Sequence, residues 1–159
     1  MTTALVVIDM QQQFRSSAVP TIPLVKRAIS HARREGWLIV SVRFINGNYS
    51  ITEPELVPGL IRALSRHDVI QVEKDDDNGG NELSAALSSY NIKRAVFCGV
   101  NATACVCRTV RRYAKLNPEV DCIISEAVGN DVRYAQPLNV VAASDAGGPN
   151  VRAEVVFGG

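Results

Sequence analysis

The sequence predicts a three-layer α/β/α fold: a doubly wound, mostly parallel sheet of about six strands with helices on both faces. Three observations carry that prediction. Short β-rich apolar runs alternate with segments of helical period along the whole chain. The first run, Ala4 to Ile8, is continuously apolar, the pattern of a strand buried on both faces. Polar residues able to do chemistry stand directly after several of these runs, where open parallel sheets collect their ligands.

The elements follow in order. After Ala4 to Ile8, the residues Ile22, Val25, Ile29 and Ala32 recur at helical spacing, and Gly36 supplies a C-terminal stop. Leu38 to Phe44 reads as a second strand, and Leu60, Ile61 and Leu64 suggest a helix. Val69 to Val72 is a third strand, Glu82 to Leu87 a helix and Ala95 to Gly99 a fourth strand. A helix then begins near Thr103, with Val106, Val110 and Tyr113 on one face, and Asn117-Pro118 ends it. Val120 to Ile124 is a fifth strand, Pro137 to Ala143 a last short helix, and Glu154 to Phe157 an edge strand.

The length of 159 residues suits a single domain, residues 1–159, with one core. Apolar residues make up 47%, too many for a disordered chain. Seventeen basic side chains face 16 acidic ones, so no global field argues for nucleic acid or an anionic membrane. Arg108, Arg111 and Arg112 cluster, but without interleaved aromatic residues they read as a solvated helix face. No apolar run approaches the roughly 20 residues of a membrane span, and MTTALVVIDM lacks the features of a signal peptide. The expected location is therefore the cytoplasm, with the four cysteines as reduced thiols. Their spacing fits no zinc pattern, and DDDNGGN fails the calcium-loop pattern and reads as a solvated loop.

The strand ends hold the candidate chemistry. Asp9 follows strand one, Arg43 and Asn46 lie at or beyond the end of strand two, and Lys74 follows strand three. After strand four comes Gly99-Val100-Asn101-Ala102-Thr103-Ala104-Cys105. Cys105 falls in the first turn of a helix, where unpaired amides favour a thiolate. Taken singly, Cys105 reads equally well as a buried apolar residue, Asp9 at least as well as a loop cap, and Lys74 first as an ordinary surface lysine. Together they offer a nucleophile, a base and a cation. Cys98 and Cys122 lie inside apolar strands, and Cys107 faces another direction. His31 and His67 sit away from these ends, so a histidine-based engine has little support.

Three stretches carry a resemblance: ALVVIDMQQQF at the start, VEK at the third strand and FCGVNATACVCRTV in the middle. With them the chain resembles the isochorismatase-like cysteine hydrolases, a superfamily that includes nicotinamidases and N-carbamoylsarcosine amidohydrolase-like enzymes. The likeness implies a Rossmann-like sheet and a catalytic triad of Asp9, Lys74 and Cys105. It implies a cis peptide between Val100 and Asn101, and an oxyanion hole from the amides of Asn101 and Cys105. Thr109 also fits the family pattern. Family members usually assemble, so a homo-oligomer, dimer or tetramer, is expected. The cysteine favours an amide or ureido bond as substrate over a vinyl ether. Phe14, Arg43, Phe44, Tyr49 and Ala104 are the candidate substrate-binding residues, Phe44 reading first as core because it closes an apolar strand.

This chain departs from the family in places. The stretch RFINGNYS after strand two has no histidine, so neither metal nor any other cofactor is expected. Gln13 stands where many members carry an acid, and an acidic, glycine-rich loop replaces the serine-alanine-phenylalanine signature after the lysine. The expected activity is metal-independent hydrolysis of a small amide or ureido C–N bond through a thioester. The alternative is an inactive module of the same fold acting in binding or assembly. A nucleotide-binding domain fits less well, because no glycine follows strand one in Asp9-Met10-Gln11-Gln12.

Overall fold

The strands are β1 (Thr2–Ile8), β2 (Leu38–Phe44), β3 (Ile70–Lys74), β4 (Ile92–Gly99), β5 (Asp121–Val128) and β6 (Val151–Glu154). The helices are α1 (Arg15–Arg34), α2 (Ile61–Leu64), α3 (Gly80–Leu87), α4 (Cys107–Leu116) and α5 (Leu138–Ala146). The computed structural model describes residues 2–45 and 50–158. All six strands pair in parallel, in the order β3-β2-β1-β4-β5-β6. The order reverses between β1 and β4. The crevice beyond their carboxyl ends is the switch point at which such sheets bind ligands.

The pleat sorts the apolar residues of β1 into two cores. Ala4, Val6 and Ile8 join one with Leu83 and Leu87 of α3, Val110 and Tyr113 of α4, and Ala142 of α5. Leu5 and Val7 join the other with Val25, Ala28, Ile29 and Ala32 of α1 and Leu64 of α2. This explains a run with no polar alternation: both faces of β1 are covered. Each large apolar side chain so buried contributes about 1.5–3 kcal/mol.

Several element boundaries differ from the sequence reading. α1 starts at Arg15, well before Ile22, and runs through Pro20 and Pro23. Both prolines are exposed, so water can serve the carbonyls they leave without a donor. At its other end Gly36 takes φ +69, while Trp37 N–H donates to Ala32 O, closing the helix. β3 extends through Lys74, so the lysine belongs to the strand instead of following it. β5 extends to Val128 through an irregularity that Ser125 fills: its hydroxyl donates to Phe97 O and accepts from Ala127 N–H.

The edge strand is Val151–Glu154, not Glu154 to Phe157. The chain leaves the sheet after Glu154 because the Glu126 carboxylate accepts the amides of Val156 and Phe157. There Phe157 packs with Trp37 around His31. No helix among the described residues is long and apolar enough to cross a membrane.

Candidate active site

Asp9 leaves β1 with φ +55, a left-handed conformation that aspartate tolerates better than most residues. Its amide donates to Val42 O at 3.0 Å, which ties the turn to β2. Next to it, Gln11 is wholly buried. Its side chain donates to Phe44 O (2.7 Å) and Pro54 O (2.9 Å) and accepts from Phe44 N–H at 2.8 Å. Gln11 thereby extends the β1–β2 pairing past the end of the strand.

Lys74 is enclosed, its side chain wholly shielded from solvent. Nζ donates to Asp9 Oδ2 at 3.0 Å, to Asp76 O at 3.0 Å and to Asp77 O at 3.2 Å. An ammonium has three donors, and all three are used. The Phe44 ring lies 4.2 Å from Nζ and covers a further side. The acidic loop read from sequence as merely solvated therefore has a second role, since its backbone carbonyls grip the lysine. Thr109, fully buried on α4, holds that loop in turn. Its hydroxyl accepts from Gly79 N–H at 3.0 Å and lies 3.5 Å from Asp77 O. Glycine is needed at position 79, where a Cβ would lie 2.6 Å from Lys74 Cδ.

Cys105 lies beyond β4, in a widened turn spanning Ala102–Val106. Val106 N–H reaches back five residues to Asn101 O at 3.1 Å, one residue more than an α-turn. Such turns are frequent at functional sites, and no propensity rule in the sequence marks this one. The peptide between Val100 and Asn101 is cis. Among the described residues, no group accepts a hydrogen bond from the Asn101 amide, and Asn101 Oδ1 is buried without a partner. Ala102 N–H donates to Gly129 O at 2.8 Å, which anchors the turn to the end of β5.

The structure thus brings Asp9, Lys74 and Cys105 together from three strand ends. Lys74 and the Cys105 thiol both interact with the Asp9 carboxylate, whose Oδ1 has no partner of full hydrogen-bond geometry. Burial pushes the Asp9 carboxyl above the usual carboxylate range, while Lys74 and the thiol oppose that shift. Burial, then the Asp9 charge, push the Cys105 thiol well up, and Lys74 offsets only part. The sequence reading expected a lowered thiol pKa, and this is a correction. The cysteine is only 7% exposed, so desolvation together with the Asp9 charge outweighs the lysine. Cys98, Cys107 and Cys122 are pushed up as well, chiefly by burial.

The other predicted site residues divide. Phe14 and Phe44 pack together, ring centroids 6.2 Å apart, beside the lysine. Ala104 is half-buried within the turn of Cys105. Arg43 is not part of the cluster. Strand alternation turns it away from Phe44, and it pairs with Glu73 at 3.1 Å. Tyr49 and Asn46 lie outside the described residues. Gln13 accepts the amides of Thr52 and Glu53 on one oxygen, a duty that needs an acceptor but not a charge. Sequence reasoning missed Gln11 and the way Thr109 acts; a buried glutamine inside a polar run carries no periodic signal.

The isochorismatase domain matches residues 3–148, and the chain belongs to that family. No curated protein sequence matches it. Among solved structures, the chain is similar to N-carbamoylsarcosine amidase from Thermoplasma acidophilum. The two are 20% identical over 98% of this chain and 96% of that one, with a TM-score of 0.74. It is also similar to a nicotinamidase from Staphylococcus aureus, at 17% identity, 89% of each chain and a TM-score of 0.72. A third is a pyrazinamidase of Pyrococcus horikoshii in complex with zinc. That match has 18% identity, covers 98% of this chain and all of that one (100%), and has a TM-score of 0.71.

The zinc of that relative invites comparison with the donors present here. Zinc takes cysteine, histidine, aspartate or glutamate. The stretch Ile45-Asn46-Gly47-Asn48-Tyr49 after β2 contains none of these. Among the described residues, no three such side chains stand close enough to hold a metal ion. The donors among the described residues do not fit zinc.

Proposed function

We propose that the chain is a metal-independent cysteine hydrolase acting on a small amide or ureido C–N bond, with Asp9, Lys74 and Cys105 as its triad. The observation that supports this best is the enclosed Asp9–Lys74 pair, 3.0 Å between Nζ and Oδ2, in contact with a thiol at the switch point of the sheet. Burying a charged pair is costly and is a poor route to stability. Its placement against the Cys105 thiol argues for chemistry.

In the proposed reaction the thiol stays protonated at rest. Asp9 accepts its proton as Sγ bonds to the substrate carbonyl carbon, so no free thiolate accumulates. Lys74 holds Asp9 in place and balances its charge. The negative carbonyl oxygen is received by the amides of Asn101 and Cys105. As the carbonyl re-forms, the C–N bond breaks, and Asp9 passes its proton to the departing nitrogen. A water then gives a proton to Asp9 and its oxygen to the thioester carbon. The C–S bond breaks, and the proton returns to sulfur, releasing the acid. The proposed protein works in the cytoplasm as a homo-oligomer.

Two relatives of the same fold bear the names of amidases, which supports an amide or ureido substrate. Assaying small primary amides and ureido acids for released ammonia tests the proposal. Turnover supports it. Failure of every compound, with an inert Cys105, favours the inactive binding module.

A further inference from the structure

The outer wall of the acidic loop faces a groove that the reaction does not use. Arg108, Arg111, Arg112 and Lys115 stand at i, i+3, i+4 and i+7 of α4, which places all four on one side of the helix. They line a groove of about 420 Å³ together with Asp76, Asp77 and Asn78. Four cationic side chains therefore share this space with two carboxylates.

We infer that this groove is a binding site for a small molecule carrying two phosphate groups. The cations are partly held in place by the fold. Arg111 donates to the backbone carbonyls of Asp145 and Ala146 at the end of α5. Arg112 Nε donates to Asn81 Oδ1 at 2.8 Å. Arg108 pairs with the Asp77 carboxylate. These contacts leave guanidinium N–H groups over for a ligand, since each fork offers five donors. Guanidinium forks suit phosphate oxygens, which they can meet in pairs.

The scale of the stripe points to a small ligand. From Arg108 to Lys115 the helix rises only about 10 Å, the reach of a diphosphate with one organic group. Among the described residues no aromatic side chain lines the groove, so they offer no stacking platform for bases. The chain's net charge of +1 likewise argues against a nucleic-acid surface.

Isothermal titration of the full-length protein with inorganic pyrophosphate at about 0.15 M salt tests this. The expected result is saturable binding of one pyrophosphate per chain. Replacing Arg112→Glu and Lys115→Glu together weakens it at least tenfold. Asp76→Asn removes a repelling carboxylate without touching the cations, and it tightens binding severalfold. That second variant keeps the test meaningful if the double variant folds poorly. Absence of saturable binding to the wild type, or binding indifferent to both variants, overturns the inference. A single-stranded oligonucleotide that binds more tightly than pyrophosphate overturns it too.

Discussion

Lys74 Nζ lies 3.0 Å from Asp9 Oδ2, and both side chains are sealed from solvent. The two residues are 65 positions apart and reach each other from the ends of β1 and β3, with β2 between them. The remaining two donors of the lysine go to carbonyls of the loop that follows it. The lysine is thus fixed in position beside the carboxylate.

A pH profile follows from that arrangement. Asp9 must be unprotonated to accept the thiol proton, and burial raises its pKa. Activity should therefore fall on acidification at a pH above the ordinary aspartate value of about 3.9. The thiol is raised too, so its own titration should cause no change across neutral pH. Measuring kcat/KM from pH 4 to 9 checks both limbs.

Alkylation and hydrolysis should respond in opposite directions to one substitution. The Asp9 charge raises the Cys105 pKa, so Asp9→Asn lowers it and increases the thiolate fraction below that pKa. Iodoacetamide should then modify Cys105 faster in Asp9→Asn than in the wild type, by about tenfold for each pKa unit recovered. Hydrolysis should be lost, because the base is gone. Lys74→Met should slow alkylation instead. Mass-spectrometric mapping at pH 8 separates Cys105 from the three other thiols.

Gly79→Ala tests the lysine's position without removing it. The added methyl would fall 2.6 Å from Lys74 Cδ, and the three hydrogen bonds on Nζ leave the side chain little freedom to yield. A displacement of under 1 Å should lower kcat by about 10–100-fold. The thermal midpoint should drop only modestly, and comparing it with kcat distinguishes misplacement from unfolding.

Gln11→Ala should act mainly on stability. It deletes three hydrogen bonds that join β1 to β2 and to Pro54. At roughly 0.5–1.5 kcal/mol each, the loss is about 1.5–4.5 kcal/mol. Urea unfolding of the variant beside the wild type measures it.

Much of this architecture is legible in the sequence, for identifiable reasons. The apolar run of β1 announces a sheet covered on both faces, and β2 is readable residue for residue because its β-rich run is bounded cleanly. Family likeness, more than pattern, draws Asp9, Lys74 and Cys105 together, since residues 65 and 31 positions apart show no local periodicity. Prolines hid the start of α1, because their exposure in the helix depends on tertiary packing. The raised thiol pKa was hidden for a similar reason. A helix terminus can be read along the chain, but burial of a side chain by residues distant in sequence cannot.

The most direct measurement of the central claim compares ammonia release from small primary amides and ureido acids by the wild type and by Cys105→Ala. Removing one small buried sulfur should cost no more than about 1–2 kcal/mol of stability, so the variant remains folded. The account predicts turnover of at least one compound by the wild type and a loss of about 10³-fold or more in the variant. Equal rates of ammonia release from the two proteins would contradict it.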